Sequence, residues 1–149
     1  MTDTSLSGRA MRLLARREHS RAELARKLAA HGTDEEVGAV LDRLSELGLL
    51  SDHRFAEAWL RSKSARFGMP RLRRDLIQRG VDPDTIDDVL ETEPLENEYD
   101  RACQIWRTRF GTSAGDHREW ARQARFLQGR GFSTDVIRKV LKEAPDESA

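Results

Sequence analysis

The chain has 149 residues, 38% of them apolar and 35% charged, with 26 basic and 26 acidic side chains that cancel. So small an apolar share favours an elongated helical protein with much surface over a thick globular core. No apolar run nears the ~18 residues of a membrane span, the single Cys103 excludes an internal disulfide, and MTDTSLSGRAM has no signal-peptide core, so a cytoplasmic protein is expected.

Taken in chain order, the helix signals are dense. GRAMRLLARRE is the first helical stretch. Ser20 with Glu23, before Leu24 and Leu28, forms a capping-box pair, and Thr33 with Glu36 repeats it before Val37, Val40, Leu41 and Leu44. DHRFAEAWLRSKSARFG reads as the next helix, followed by one starting near Pro70 whose apolar stripe is Leu72, Leu76 and Ile77. Asp82 before Pro83 gives the favoured cap-then-proline order. ETEPLENEYD, with Pro94, is the expected hinge before a helix in NEYDRACQIWRTRFG. GTSAGD is a polar turn, after which Asp116 caps a helix carrying Glu119 at its third position. Ser133 opens the last helix, STDVIRKVL, with an acidic residue in the first turn, which suits the helix dipole.

Gly32, Gly80 and Gly131 each fall just before a cap, where a left-handed closing turn is expected. Aligning them exposes a repeat. LARKLAAHGTDEEVGAVL, LRRDLIQRGVDPDTIDDVL and QARFLQGRGFSTDVIRKVL each read helix, glycine, cap, helix, with glycines 48 and 51 residues apart. The predicted fold is all-α: an elongated array of three tandem three-helix repeats at residues 9–49, 51–92 and 95–143, with flexible ends at 1–8 and 144–149. Phe55 with Trp59, and Trp106 with Phe110, lie one turn apart in apolar stripes and are assigned to packing.

Net neutrality conceals strong segregation of charge. Residues 54–79 hold eight basic and two acidic side chains, residues 82–100 nine acidic and none basic, and residues 101–139 nine basic and three acidic. Local fields of this kind suit a polyanion or an acidic protein surface as partner. Arg71 and Arg74 lie off the apolar stripe of their helix, with Arg73 at its border. Arg118, Arg122 and Arg125 form a separate row beside the stripe of Trp120, Ala124 and Leu127. Arg61, Lys63 and Arg66 belong to the preceding helix of the middle repeat, and Arg130 follows the third-repeat row. These ten side chains are the candidate partner-binding set. Arginine suits the role because its planar fork meets phosphate or carboxylate at two points.

Catalytic signatures are missing. His19, His31, His53 and His117 match no zinc spacing, there is no phosphate loop or nucleophile elbow, and Asp82, Asp84, Asp87 and Asp88 lack the glycine and distal glutamate of a calcium loop. No cofactor, metal or enzymatic activity is expected.

RAMRLLARREHSRAELARKLAAHG and VLDRLSELGLLSDHRFAEAWLRSKSARFGMPRLRRDLIQRGV resemble the bacterial RecX regulatory proteins, and RFLQGRGFSTDVIRKVL resembles that family's C-terminal repeat. The likeness covers residues 9–143. Its most specific stretch holds Asp52, Arg54, Phe55, Ala56, Pro70, Leu76 and Gly80 in the family's order. The resemblance implies a curved all-helical protein that binds the recombinase RecA, or its filament on single-stranded DNA. It further implies inhibition of ATP hydrolysis, strand exchange and the SOS co-protease activity, by lodging in the filament groove or capping its end. A monomer is expected. The rival reading is a helical protein that coats DNA directly, without RecA.

Overall fold

A computed structural model describes residues 5–142. Among them are nine α-helices, one short 3-10 turn and no strand. In chain order the helices are α1 (Leu6–Arg16), α2 (Arg21–Leu28), α3 (Asp34–Glu46), α4 (Asp52–Lys63), α5 (Met69–Gln78), α6 (Pro83–Thr92), α7 (Glu98–Arg109), α8 (His117–Gly129) and α9 (Thr134–Leu141). No described helix is long and apolar enough to cross a membrane. The first helix already begins at Leu6 with Ser5 as its cap, inside the segment 1–8 expected to be flexible. Residues 1–4 and the expected tail at 144–149 lie outside the described residues.

The caps form as the side-chain chemistry dictates. Ser20 with Glu23 and Thr33 with Glu36 make complete capping boxes, each satisfying two N–H groups that a helix start leaves without intrahelical partners. Asp82, with Pro83 in the first turn, accepts from the Asp84 N–H, Asp116 from the Glu119 N–H and Ser133 from the Val136 N–H.

The closing glycines divide. Gly80 and Gly131 take φ of +89° and +90°, and the Val81 and Phe132 N–H groups fold back onto the Leu76 and Leu127 carbonyls. Gly32 instead is extended, at φ −171°, after a 3-10 turn over Ala29–His31. The left-handed turn expected there is absent. Leu6 packs over Gly32, where a Cβ would come within 3.1 Å of Leu6 Cδ2.

The helices group into two compact units, one of residues 5–59 with 76–93 and the other of residues 60–75 with 94–142. The division runs through α4 and α5, so the middle repeat contributes to both units. In the first unit α1, α2 and α3 enclose Ala10, Leu24, Leu28, Leu41 and Leu44, joined by Val37 and Leu50. In the second, α7, α8 and α9 enclose Ala102, Leu127, Phe132 and Ile137, with Ile105, Trp106 and Val140 packed around them. Leu72 and Leu76 of α5 are fully buried, whereas Ile77 is 44% exposed. The predicted stripe is narrower than expected because Ile77 lies about 100° around the helix from Leu76.

Each unit contains one seam between consecutive repeats, and the two seams share a pattern. At the first, the Arg21 N–H donates to Asp52 Oδ1 at 2.7 Å and Ser20 Oγ donates to the Arg79 carbonyl at 2.6 Å. At the second, the Met69 N–H donates to Glu98 Oε1 at 2.8 Å and the Gly68 N–H to the Arg130 carbonyl at 2.9 Å. In both, donors at the start of one repeat's second helix are satisfied by the next repeat. The carboxylate comes from the first residue of its first helix, and the carbonyl from just before its closing glycine.

Candidate functional site

All ten candidate side chains fall in the second compact unit. Three of them converge. Phe67 sits in the turn between α4 and α5, with the Arg71 guanidinium 3.9 Å from its ring centroid and those of Arg130 and Arg66 at 5.7 and 5.8 Å. Stacking on an aromatic face orients a guanidinium without removing its charge. The Arg71 fork is further fixed by an Nη1 donation to the Gly129 carbonyl at 2.8 Å, with Asp75 3.7 Å from its Nε.

The row on α8 is less uniform than its spacing implies. Arg122 makes a two-point pair with Glu119 at 2.9 Å for each bond and lies 5.1 Å from the Phe110 centroid. That pair holds Glu119 below the usual carboxylate range and Arg122 above the usual guanidinium value. Arg122 is therefore electrostatically satisfied within its own helix. Arg118 and Arg125 are exposed and make no hydrogen bond or ion pair with another described residue. Arg74 is 64% exposed, with Asp75 at 4.0 Å from its Nε. Arg61, Lys63 and Arg73 stand on α4 and α5, the first exposed and the other two half-buried. Besides Arg61, Lys63 and Arg73, the set thus comprises a Phe67-centred cluster, a neutralised Arg122, and solvated cations at Arg74, Arg118 and Arg125.

Two arginines that the sequence reading passed over are built into the same unit. Arg101, in the first turn of α7, is only 6% exposed and donates from Nη1 to the Ser64 and Phe67 carbonyls, both at 2.7 Å. It clamps the turn that carries Phe67, satisfying two carbonyls of the segment between α4 and α5. Arg109, at the end of α7, lies 5.4 Å from the Phe126 centroid, with Arg130 5.2 Å from the same ring. Arg66, Arg101, Arg109 and Arg130, together with Ile105 and Phe126, line a cavity of about 710 Å³. The legible sign was position: Arg101 falls four residues before Ile105, on the inward side of α7 beside Ala102.

Trp106 and Phe110 do pack inside, as their spacing suggests. Trp106 Nε1 donates to Gln123 Oε1 at 2.9 Å, Phe110 meets Phe126 edge-on, and Gln123 is buried although the expected stripe of Trp120, Ala124 and Leu127 does not include it.

Family models match three consecutive segments: RecX first three-helix domain at residues 8–44, second at 51–90 and third at 96–141. The regulatory protein RecX of Leptothrix cholodnii is 49% identical over 144 residues, spanning 96% of this chain and 91% of that protein. Its counterpart in Chromobacterium violaceum is 44% identical, spanning 96% and 93%. Among solved structures, RecX from Lactobacillus salivarius superposes with a TM-score of 0.74 at 18% identity, over 92% of each chain, which bears on the fold alone. With all three repeats matched in order and a relative near one-half identity along almost the whole length, the chain belongs to the RecX family.

Proposed function

We propose that this protein binds RecA, or the filament RecA forms on single-stranded DNA, and inhibits its ATP hydrolysis, strand exchange and SOS co-protease activity. The observation that carries the reading is the gathering of ten basic candidates in one compact unit, three of them held around Phe67. Prepositioned guanidinium groups meet an acidic groove or a phosphate backbone with little ordering cost. A partner that prefers one filament state shifts the filament by its differential affinity for that state. The protein works without a cofactor, as a monomer in the cytoplasm.

The test is single-stranded-DNA-dependent ATP hydrolysis by RecA, titrated with this protein and with a triple variant, R74E/R118E/R125E. These three side chains are solvated, so their reversal leaves the fold intact. The wild type inhibits, and the variant requires at least tenfold more protein. Undiminished inhibition by the folded variant would remove these residues from the contact surface. Tight DNA binding without RecA, with a steep salt dependence and no effect on hydrolysis, would favour direct coating of DNA.

A further inference from the structure

The cavity in the second unit has a feature that RecA binding does not require. Arg101 is a guanidinium 6% exposed, and among the described residues no carboxylate lies within ion-pairing distance of it. Nη1 is engaged by two carbonyls and Nε reaches the Glu96 carbonyl at 3.3 Å, while Nη2 makes no hydrogen bond to any described residue. Burial depresses its pKa, against the opposing charges of Glu98 and Glu96. Nη2 is therefore the edge of this deeply set guanidinium that remains open to the cavity, where an anion can meet it at two points.

The surroundings say what would complete it. The lining holds four guanidinium groups and one carboxylate, Glu96, an excess of three positive charges. Arg109 and Arg130 are both held against the Phe126 ring, at 5.4 and 5.2 Å, and so are preset. A single carboxylate leaves most of that excess unmet, whereas a phosphate or diphosphate supplies multiple charge and oxygens for two-point arginine contacts. Ile105 and Phe126 give the cavity an apolar wall, and its volume of about 710 Å³ lies within the roughly 300–1,000 Å³ of small-molecule clefts.

We propose that this cavity binds a phosphate-bearing ligand of mononucleotide size, with Arg101, Arg109 and Arg130 holding the phosphate and Ile105 and Phe126 receiving the base. The ligand is a free nucleotide or the phosphorylated end of a strand, which share this chemistry.

Calorimetric titration of the full chain, without RecA, tests it using ADP, inorganic pyrophosphate and oligothymidylate with and without a 5′-phosphate. Arg109→Glu lies outside the ten candidates of the RecA reading, so failure here leaves that reading standing, and the converse holds. Saturable binding of ADP that weakens at least tenfold in Arg109→Glu, but not in Arg74→Glu, supports a nucleotide site. The same pattern confined to the 5′-phosphorylated strand supports the site and identifies a strand end as its source. Arg101→Leu should abolish binding, and if that variant misfolds, Arg109→Ala with a several-fold loss carries the test alone. No saturable binding, or equal affinity in the wild type and Arg109→Glu, overturns the proposal.

Discussion

A Cβ placed on Gly131 would lie 2.1 Å from the Cβ of Arg71, and one on Gly80 would lie 2.3 Å from the Cβ of Ala22. Each of these two glycines is pressed against the second helix of the repeat before it. The seam therefore demands glycine twice over, for the left-handed φ and for the missing side chain.

Gly80→Ala and Gly131→Ala should each destabilise the protein by about 2–5 kcal/mol, combining left-handed strain of about 1–2 with overpacking of about 1–3. Gly38→Ala, at a helical position with open space around it, should be neutral or stabilising. Urea unfolding midpoints of the three variants check this, and a Gly80→Ala midpoint equal to the wild type would contradict the seam.

The two capping boxes should differ in worth. Ser20 is fully buried and both accepts from the Glu23 N–H and donates to the Arg79 carbonyl 59 residues away. Thr33 is exposed, and among the described residues its side chain bonds only within its own box. Ser20→Ala should cost about 2 kcal/mol and Thr33→Ala about 1 kcal/mol or less. The comparison needs only equilibrium denaturation of both variants, and equal losses would mean that the link to Arg79 contributes nothing.

His19 should make stability fall in mild acid. It is 1% exposed, with Nδ1 at 3.1 Å from the Arg17 carbonyl and Nε2 at 3.0 Å from Lys27 Nζ, an arrangement that suits the neutral ring. Burial first, then the charges of Arg17 and Lys27, hold its pKa below the ordinary 6.5, against the Arg17 carbonyl and Glu23. The unfolded chain thus takes up the proton first. The stabilisation is complete above pH 6.5 and is lost as pH drops through the depressed folded value. Glu23 adds to the loss at lower pH. Burial alone would raise its pKa, but hydrogen bonds from Arg17 and Ser20 and the charges of Arg17 and Arg79 hold it below the ordinary 4.5. Unfolding midpoints between pH 8 and pH 5 should decline in the wild type and flatten in His19→Gln. An unchanged slope in that variant would assign the effect elsewhere.

Helix starts were legible because a cap is a local matter: Ser20 and Glu23, or Asp82 and Pro83, carry the instruction within four residues. Gly32 misled because its residue type permits a left-handed turn without requiring one. What requires it at Gly80 and Gly131 is a helix from the preceding repeat, a relation between distant segments. The basic residues were easy to count and harder to weigh. The i,i+3 spacing of Glu119 and Arg122 is a readable pairing signal, but their shared neutralisation took the row of Arg118, Arg122 and Arg125 from three cations to two. Phe67 and Arg101 escaped for opposite reasons. The phenylalanine falls inside the stretch expected to be helical as far as Gly68, and an arginine is by default assigned to solvent.

The seams also set an order of events during synthesis. Ser20 and Arg21 leave the ribosome early, yet Asp52 and the Arg79 carbonyl that satisfy them follow 31 and 59 residues later. Gly68 likewise waits for Arg130. A nascent chain holding only the first repeat keeps these donors in water, and each newly emerged repeat finishes the one before it. A stall before Arg79 has cleared the exit tunnel would leave Ser20 without this partner, and further elongation would supply it.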